Sequence, residues 1–120
     1  MYQVRLAKLD EIYEIVNDKG FTFDLNIEFK PKFYVLIKDD MMISFAFINF
    51  CDEYAIIEHL SCNSLNDEEI DFFIRSLNYT LSVKYTKIFT REYFKDFTIP
   101  TSHEDLFVLD VKTCKGCKHG

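Results

Sequence analysis

Hydrophobic and polar positions divide this chain into stretches of period two and stretches of period near 3.6. Tyr2, Val4 and Leu6 alternate with Gln3, Arg5 and Ala7, which predicts a half-buried strand over residues 2–7. From Asp10 the spacing changes. Leu9, Ile12, Tyr13 and Val16 fall on one helical face, and Gly20 stands where a left-handed residue closes a helix. Between Phe21 and Lys32 the side chains of Phe21, Phe23, Leu25, Ile27 and Phe29 alternate, a pattern that suits a strand or a packed loop equally. Three β-rich runs follow, Phe33–Lys38, Met42–Phe50 and Tyr54–Leu60, separated by Asp39-Asp40 and by Cys51-Asp52-Glu53; together they predict an antiparallel meander. The middle run is apolar at both alternating sets of positions, so it has to be covered on both faces, and helices are expected to flank the sheet.

After Ser64-Leu65, Asn66 precedes three carboxylates, Asp67, Glu68 and Glu69, a composition suited to the first turn of a helix, where acids favour the dipole and cap free N–H groups. Ile70, Phe73, Ile74, Leu77 and Leu81 continue as a helical stripe. Lys87–Thr90 predicts another strand, Glu92–Asp96 a short helix or turn, and Leu106–Val111 a last strand before a polar tail. The expected class is α+β, as one domain over residues 1–112 and a Cys/Lys-containing tail over 113–120.

Composition narrows the chemistry. With 48% hydrophobic residues, 13 Phe and 7 Tyr, the chain is too rich in bulky apolar groups to stay disordered. A net charge of −6 repels phosphate backbones, which argues against nucleic acid and anionic membranes as partners. The longest uncharged apolar run, Met41 to Cys51, is far below the roughly 20 residues that span a bilayer. Met1-Tyr2-Gln3-Val4-Arg5 has no apolar export segment, and the chain reads as cytoplasmic, with its four cysteines as free thiols. Glycine occurs only at positions 20, 116 and 120, which excludes glycine-rich phosphate-binding signatures across the body of the chain.

The order strand, helix, three-stranded meander, long helix, strand, short helix, strand resembles the GNAT (Gcn5-related N-acetyltransferase) superfamily. Phe33–Ile48 looks like the family's "xxVxEDDGKIIGFAxI" hairpin, and Ile57-Glu58-His59-Leu60-Ser61-Cys62 like its "IExLxV" strand. Tyr93-Phe94-Lys95-Asp96-Phe97 resembles a shortened "YEKxGF", and Val4-Arg5-Leu6-Ala7 with Leu9-Asp10 the "IRxAxxxD" opening. The resemblance implies a mixed, mostly antiparallel central sheet with helices on both faces, and acetyl transfer from acetyl-CoA, lying beside the fourth strand, to a small-molecule or peptide amine. It further implies N–H donors for the oxyanion near Leu60, Ser61 and Cys62, with Tyr93 as the acid for the departing thiolate and Glu58 as a base for the amine.

At the family's "Q/R-x-x-G-x-G/A" loop, which grips the CoA pyrophosphate, this chain reads Asp67-Glu68-Glu69-Ile70-Asp71-Phe72. A carboxylate ~8 Å from a phosphate charge costs roughly 2 kcal/mol at an effective dielectric of 20. Loss of that grip opens a second reading, a noncatalytic relative serving as a binding or interaction module toward a protein partner or a second copy of itself. Asp67, Glu68, Glu69 and Asp71 otherwise read as a solvated helix start. Glu58 and His59, adjacent on a strand, are expected on opposite faces. Cys114, Cys117 and His119 supply three zinc-type ligands in the tail, with the fourth to come from elsewhere; this is a third reading, a small zinc-binding protein.

Overall fold

The computed structural model describes residues 1–18, 20–21 and 32–111. The N-terminal alternation forms β1, Tyr2–Leu6. It is followed by α1, Leu9–Tyr13, which widens into a π-helical segment, Glu14–Asp18. Gly20 takes φ +67°, and Phe21 donates its N–H to the Ile15 carbonyl at 3.2 Å. That bond spans one residue more than the closing bond of an ordinary α-helical end, as the wider π turn requires.

The three β-rich runs form β2 (Lys32–Lys38), β3 (Met41–Phe50) and β4 (Tyr54–Leu60), paired antiparallel in sequence order. Asp39 and Asp40 join β2 to β3 with φ of 51° and 69°. Two successive left-handed residues match the twist of a tight hairpin, and this chain makes that turn without glycine. Then come α2 (Asp67–Ser82), β5 (Lys87–Thr90), β6 (Thr98–Pro100) and β7 (Phe107–Leu109). The sheet runs β1-β2-β3-β4-β5-β7-β6, antiparallel except where β5 lies parallel to β4. The class is therefore α+β. Residues 92–96 form turns rather than a helix, and β6 has no counterpart in the sequence pattern. The segment after Phe21 that admitted two readings lies outside the described residues up to Lys32.

Two apolar clusters follow from the alternation. Leu36, Ala46, Ile48, Ala55 and Ile57 pack with Phe73, Ile74, Leu77 and Leu81 of α2, all but closed to water. Phe33, Val35, Ile37, Phe45 and Phe47 pack with Ile15 and Ile12. Alternation is broken twice. Ile37 pairs with Met42 although Leu36 pairs with Ser44, and Ile48 pairs with Ile57 although Phe47 pairs with His59. Ile43 and Glu58 are the extra residues of these two bulges. No helix among the described residues is long and apolar enough to cross a membrane.

Near β1, Arg5 holds Glu11 with two parallel bonds of 2.7 Å, and the Lys8 N–H donates to the same carboxylate at 2.8 Å. Arg5, through its hydrogen bonds, is the main cause that brings the Glu11 carboxyl down to about 2. A carboxyl depressed on folding stabilises the fold above its unfolded value of 4.5, and this contribution disappears as pH falls through about 2. Urea unfolding of Glu11→Gln should therefore show a loss of about 1.5 kcal/mol at pH 7 that vanishes near pH 2. Asp40→Gly, which relieves the second left-handed residue of the hairpin, should raise stability by about 0.5 kcal/mol in the same measurement.

Candidate functional site

The parallel junction between β4 and β5 is short. Tyr54 through Ile57 pair with Lys87 through Thr90, and the Arg91 N–H donates to the Ile57 carbonyl at 3.0 Å as the last rung. Beyond it β4 continues to Leu60 beside β3, while the segment after β5 turns away at Arg91-Glu92. Here the edge of β4 facing β5 has no strand beside it. The exposed rung is filled by a side chain: Leu60 donates its N–H to Glu92 Oε1 at 2.8 Å. Glu92 is itself positioned by its own N–H, which donates to Oγ1 of the fully buried Thr90 at 3.2 Å.

Of the three residues expected to supply N–H donors, Leu60 is thus engaged by Glu92. Ser61 donates its N–H to the Phe45 carbonyl at 3.0 Å, and its own carbonyl accepts the hydroxyl of buried Ser44. The Cys62 carbonyl accepts the Leu65 N–H at 3.1 Å. Burial, with a smaller contribution from the Glu92 charge, pushes the Cys62 thiol above its usual range, so it stays protonated at neutral pH and is a poor nucleophile.

Glu58 is the extra residue of the β4 bulge. Its Oε1 accepts Arg91 Nε at 2.9 Å and its Oε2 accepts Asn49 Nδ2 at 3.0 Å. Both carboxylate oxygens are occupied, one by a cation. His59 lies against the rings of Phe21 and Phe45, at 5.1 and 5.5 Å between centroids. By alternation Asn49 shares the face of Phe45 and Phe47, so Glu58 and His59 come to the same side of the sheet. The opposite-face expectation fails because the bulge inserts one residue and resets the alternation; it also lets Ile57 and Leu60, three apart, enter the same α2-facing cluster. Tyr93, next to Glu92, is 57% exposed, with its ring 5.6 Å from that of Phe107. The structure therefore gathers Leu60, Cys62, Thr90 and Glu92 at the end of the β4/β5 junction, with Glu58, Asn49 and Arg91 linked beside it. Glu92 and Arg91 were not legible as site residues, because their significance comes from where β5 stops.

The acidic helix start is also not uniformly solvated. Asp67 and Glu68 are exposed, and Asp71 pairs with Arg75 at 3.0 Å. Glu69, however, is buried. It closes a capping box in which Glu69 N–H donates to Asn66 Oδ1 at 2.8 Å and Asn66 N–H donates to Glu69 Oε1 at 3.0 Å. Its other oxygen accepts the Tyr2 hydroxyl and the Lys38 ammonium, each at 3.3 Å, tying α2 to β1 and β2. The hydrogen bond from the Asn66 backbone is the main cause that lowers the Glu69 carboxyl. This corner presents the exposed carboxylates of Asp67 and Glu68, and one first-turn N–H is already committed to Asn66, an arrangement unfavourable to a diphosphate.

Cys51 and Cys62 are free thiols. Among the described residues no group of three or more His, Cys, Asp or Glu side chains could hold a metal, and Cys114, Cys117 and His119 lie outside those residues. No protein-family model matches the sequence, and no curated protein matches it.

Glu92→Gln keeps an acceptor for the Leu60 N–H but removes the charge beside Cys62. The Cys62 pKa should fall, and its reaction with a disulfide reagent, followed against pH in a Cys51→Ser background, should shift to lower pH. No shift would mean that Glu92 exerts no field at the thiol.

Proposed function

We propose that this chain is a GNAT-like domain whose cofactor groove is closed from within, and that it serves as a noncatalytic binding module rather than as an acetyltransferase. What carries the reading is the 2.8 Å hydrogen bond from the Leu60 N–H to the Glu92 carboxylate. In the family resemblance, acetyl-CoA lies beside the fourth strand and uses N–H donors there; here an anionic side chain of the protein occupies that backbone edge. The resemblance itself draws support from the element order, from the single parallel step between β4 and β5, and from helical side chains that pack in both apolar clusters.

Three further features agree. Ser61 is tied to β3 through both backbone polar groups, Glu58 is held by Arg91 and Asn49, and the start of α2 repels phosphate with Asp67 and Glu68. An amine acceptor would meet Glu58 already paired with a cation and an amide. The acetyl-transfer reading, with Tyr93 as acid and Glu58 as base, needs the Glu92 contact to open.

Thermal-shift titration with acetyl-CoA is the test. The module reading expects no shift at millimolar ligand. An acetyltransferase with micromolar affinity would gain about 2.7 kcal/mol at 100 times its Kd, and such a gain overturns the module reading. The combined variant Asp67→Arg, Glu68→Gly and Glu92→Ala should bind acetyl-CoA better than the natural sequence, since it removes the three nearby charges that oppose the ligand.

A further inference from the structure

β1 stands at one end of the sheet, so among the described residues one of its two backbone edges has no strand beside it. Which groups lie on that edge follows from the flanking bonds. Ala7 donates its N–H to the Phe33 carbonyl at 2.9 Å, and Asp39 donates its N–H to the Met1 carbonyl at 3.1 Å. With Tyr2 opposite Lys38 and Leu6 opposite Tyr34, odd-numbered residues of β1 face β2. The N–H and C=O groups of Tyr2, Val4 and Leu6 therefore point outward.

β1 has no proline, no bulge and no lysine, and its one charged side chain, Arg5, is held by Glu11. Exposed apolar side chains stand near it. Leu6 is 47% exposed, and Leu9 and Tyr13 of α1, three and seven residues farther along the chain, are exposed as well. On the other side, α2 packs against β1 and leaves a groove of about 410 Å³ lined by Val4, Phe72, Arg75, Ser76 and Tyr79 among others. Tyr79 is 77% exposed.

We infer that this edge pairs with the same edge of a second copy, β1 against β1 in antiparallel sense, to give one continuous sheet through a two-fold dimer. The edge is self-complementary in one register. With Val4 opposite Val4 of the second copy, all three outward residues find partners: Tyr2 exchanges hydrogen bonds with Leu6 of the second copy, Val4 with Val4, and Leu6 with Tyr2. Gln3 then faces Arg5 of the second copy, so no like charges stand directly opposite. Sliding the pairing toward the C-terminal end of β1 would set Arg5 against Arg5 and leave Tyr2 without its partner. The two-fold axis stands perpendicular to the sheet, so both α2 helices lie on the same face and their grooves open toward each other. Leu6 then meets Tyr2 of the second copy, whose ring already lies 5.3 Å from Phe72 within its own chain. The pairing does not depend on whether acetyl-CoA binds. Each copy carries −6, so added salt should tighten the dimer.

Sedimentation velocity over a concentration series, combined with amide hydrogen exchange, tests the pairing. The expected result is a dimer whose Tyr2, Val4 and Leu6 amides are protected. Leu6→Lys, which places a charge on the edge, should give a monomer with an unchanged far-UV spectrum. In it those three amides exchange freely, while Gln3, Arg5 and Ala7 remain protected. Should Leu6→Lys fail to fold, dilution of the natural chain to the monomer reads the same amides. A natural chain that stays monomeric at millimolar concentration overturns the inference and leaves the edge to an extended segment of another protein. A dimer whose Tyr2, Val4 and Leu6 amides exchange freely overturns it too.

Discussion

Every buried strand in this protein must satisfy its backbone along both edges, and the place where that requirement is hardest to meet is the upper half of β4. β3 covers one edge along the whole length. β5 covers the other only as far as Ile57, because its chain turns at Arg91. A buried N–H without an acceptor costs roughly 1–3 kcal/mol, a large fraction of a small domain's stability. Glu92 removes that cost at Leu60, and buried Thr90 holds Glu92 in place. The same contact occupies the backbone edge of β4 beyond the end of β5.

The bulge at Glu58 works on the same strand from the other side. In unbroken alternation two residues three apart lie on opposite faces, and Leu60 would leave the cluster formed with Phe73 and Leu77. The insertion keeps both in that cluster and turns Glu58 toward Asn49 and Arg91. It also sets His59 among phenylalanine rings, where its role is packing. Polar groups around the junction are consequently committed to one another.

Charge is used in the same economical way at the start of α2. Four carboxylates crowd six positions, yet they do different work. Glu69 is drawn inward by Asn66, Tyr2 and Lys38 and fastens the helix to the first two strands, whereas Asp67 and Glu68 remain at the surface as a repulsive field. The sheet's outer boundary is handled differently: among the described residues β1 has no strand on its outer side, and exposed apolar side chains stand nearby.

The elements with strong local patterns were legible in the chain itself. Asn66 with its following acids and the stripe Phe73, Ile74, Leu77 and Leu81 define α2, because capping and amphipathic burial act within a few residues. Asp39-Asp40 separates two apolar runs and so marks a hairpin, and the doubly apolar β3 states that both faces of the sheet are covered. The three-residue β6 carries too short a pattern to read. The bulge at Glu58 leaves only a faint trace, the three-residue spacing from Ile57 to Leu60. Glu69's burial, the Glu92 contact with Leu60 and the open β1 edge were decided only by tertiary structure. Each depends on where separate strands begin and end relative to one another, and composition and periodicity report the partners of a single segment's faces but not the partners of its edges.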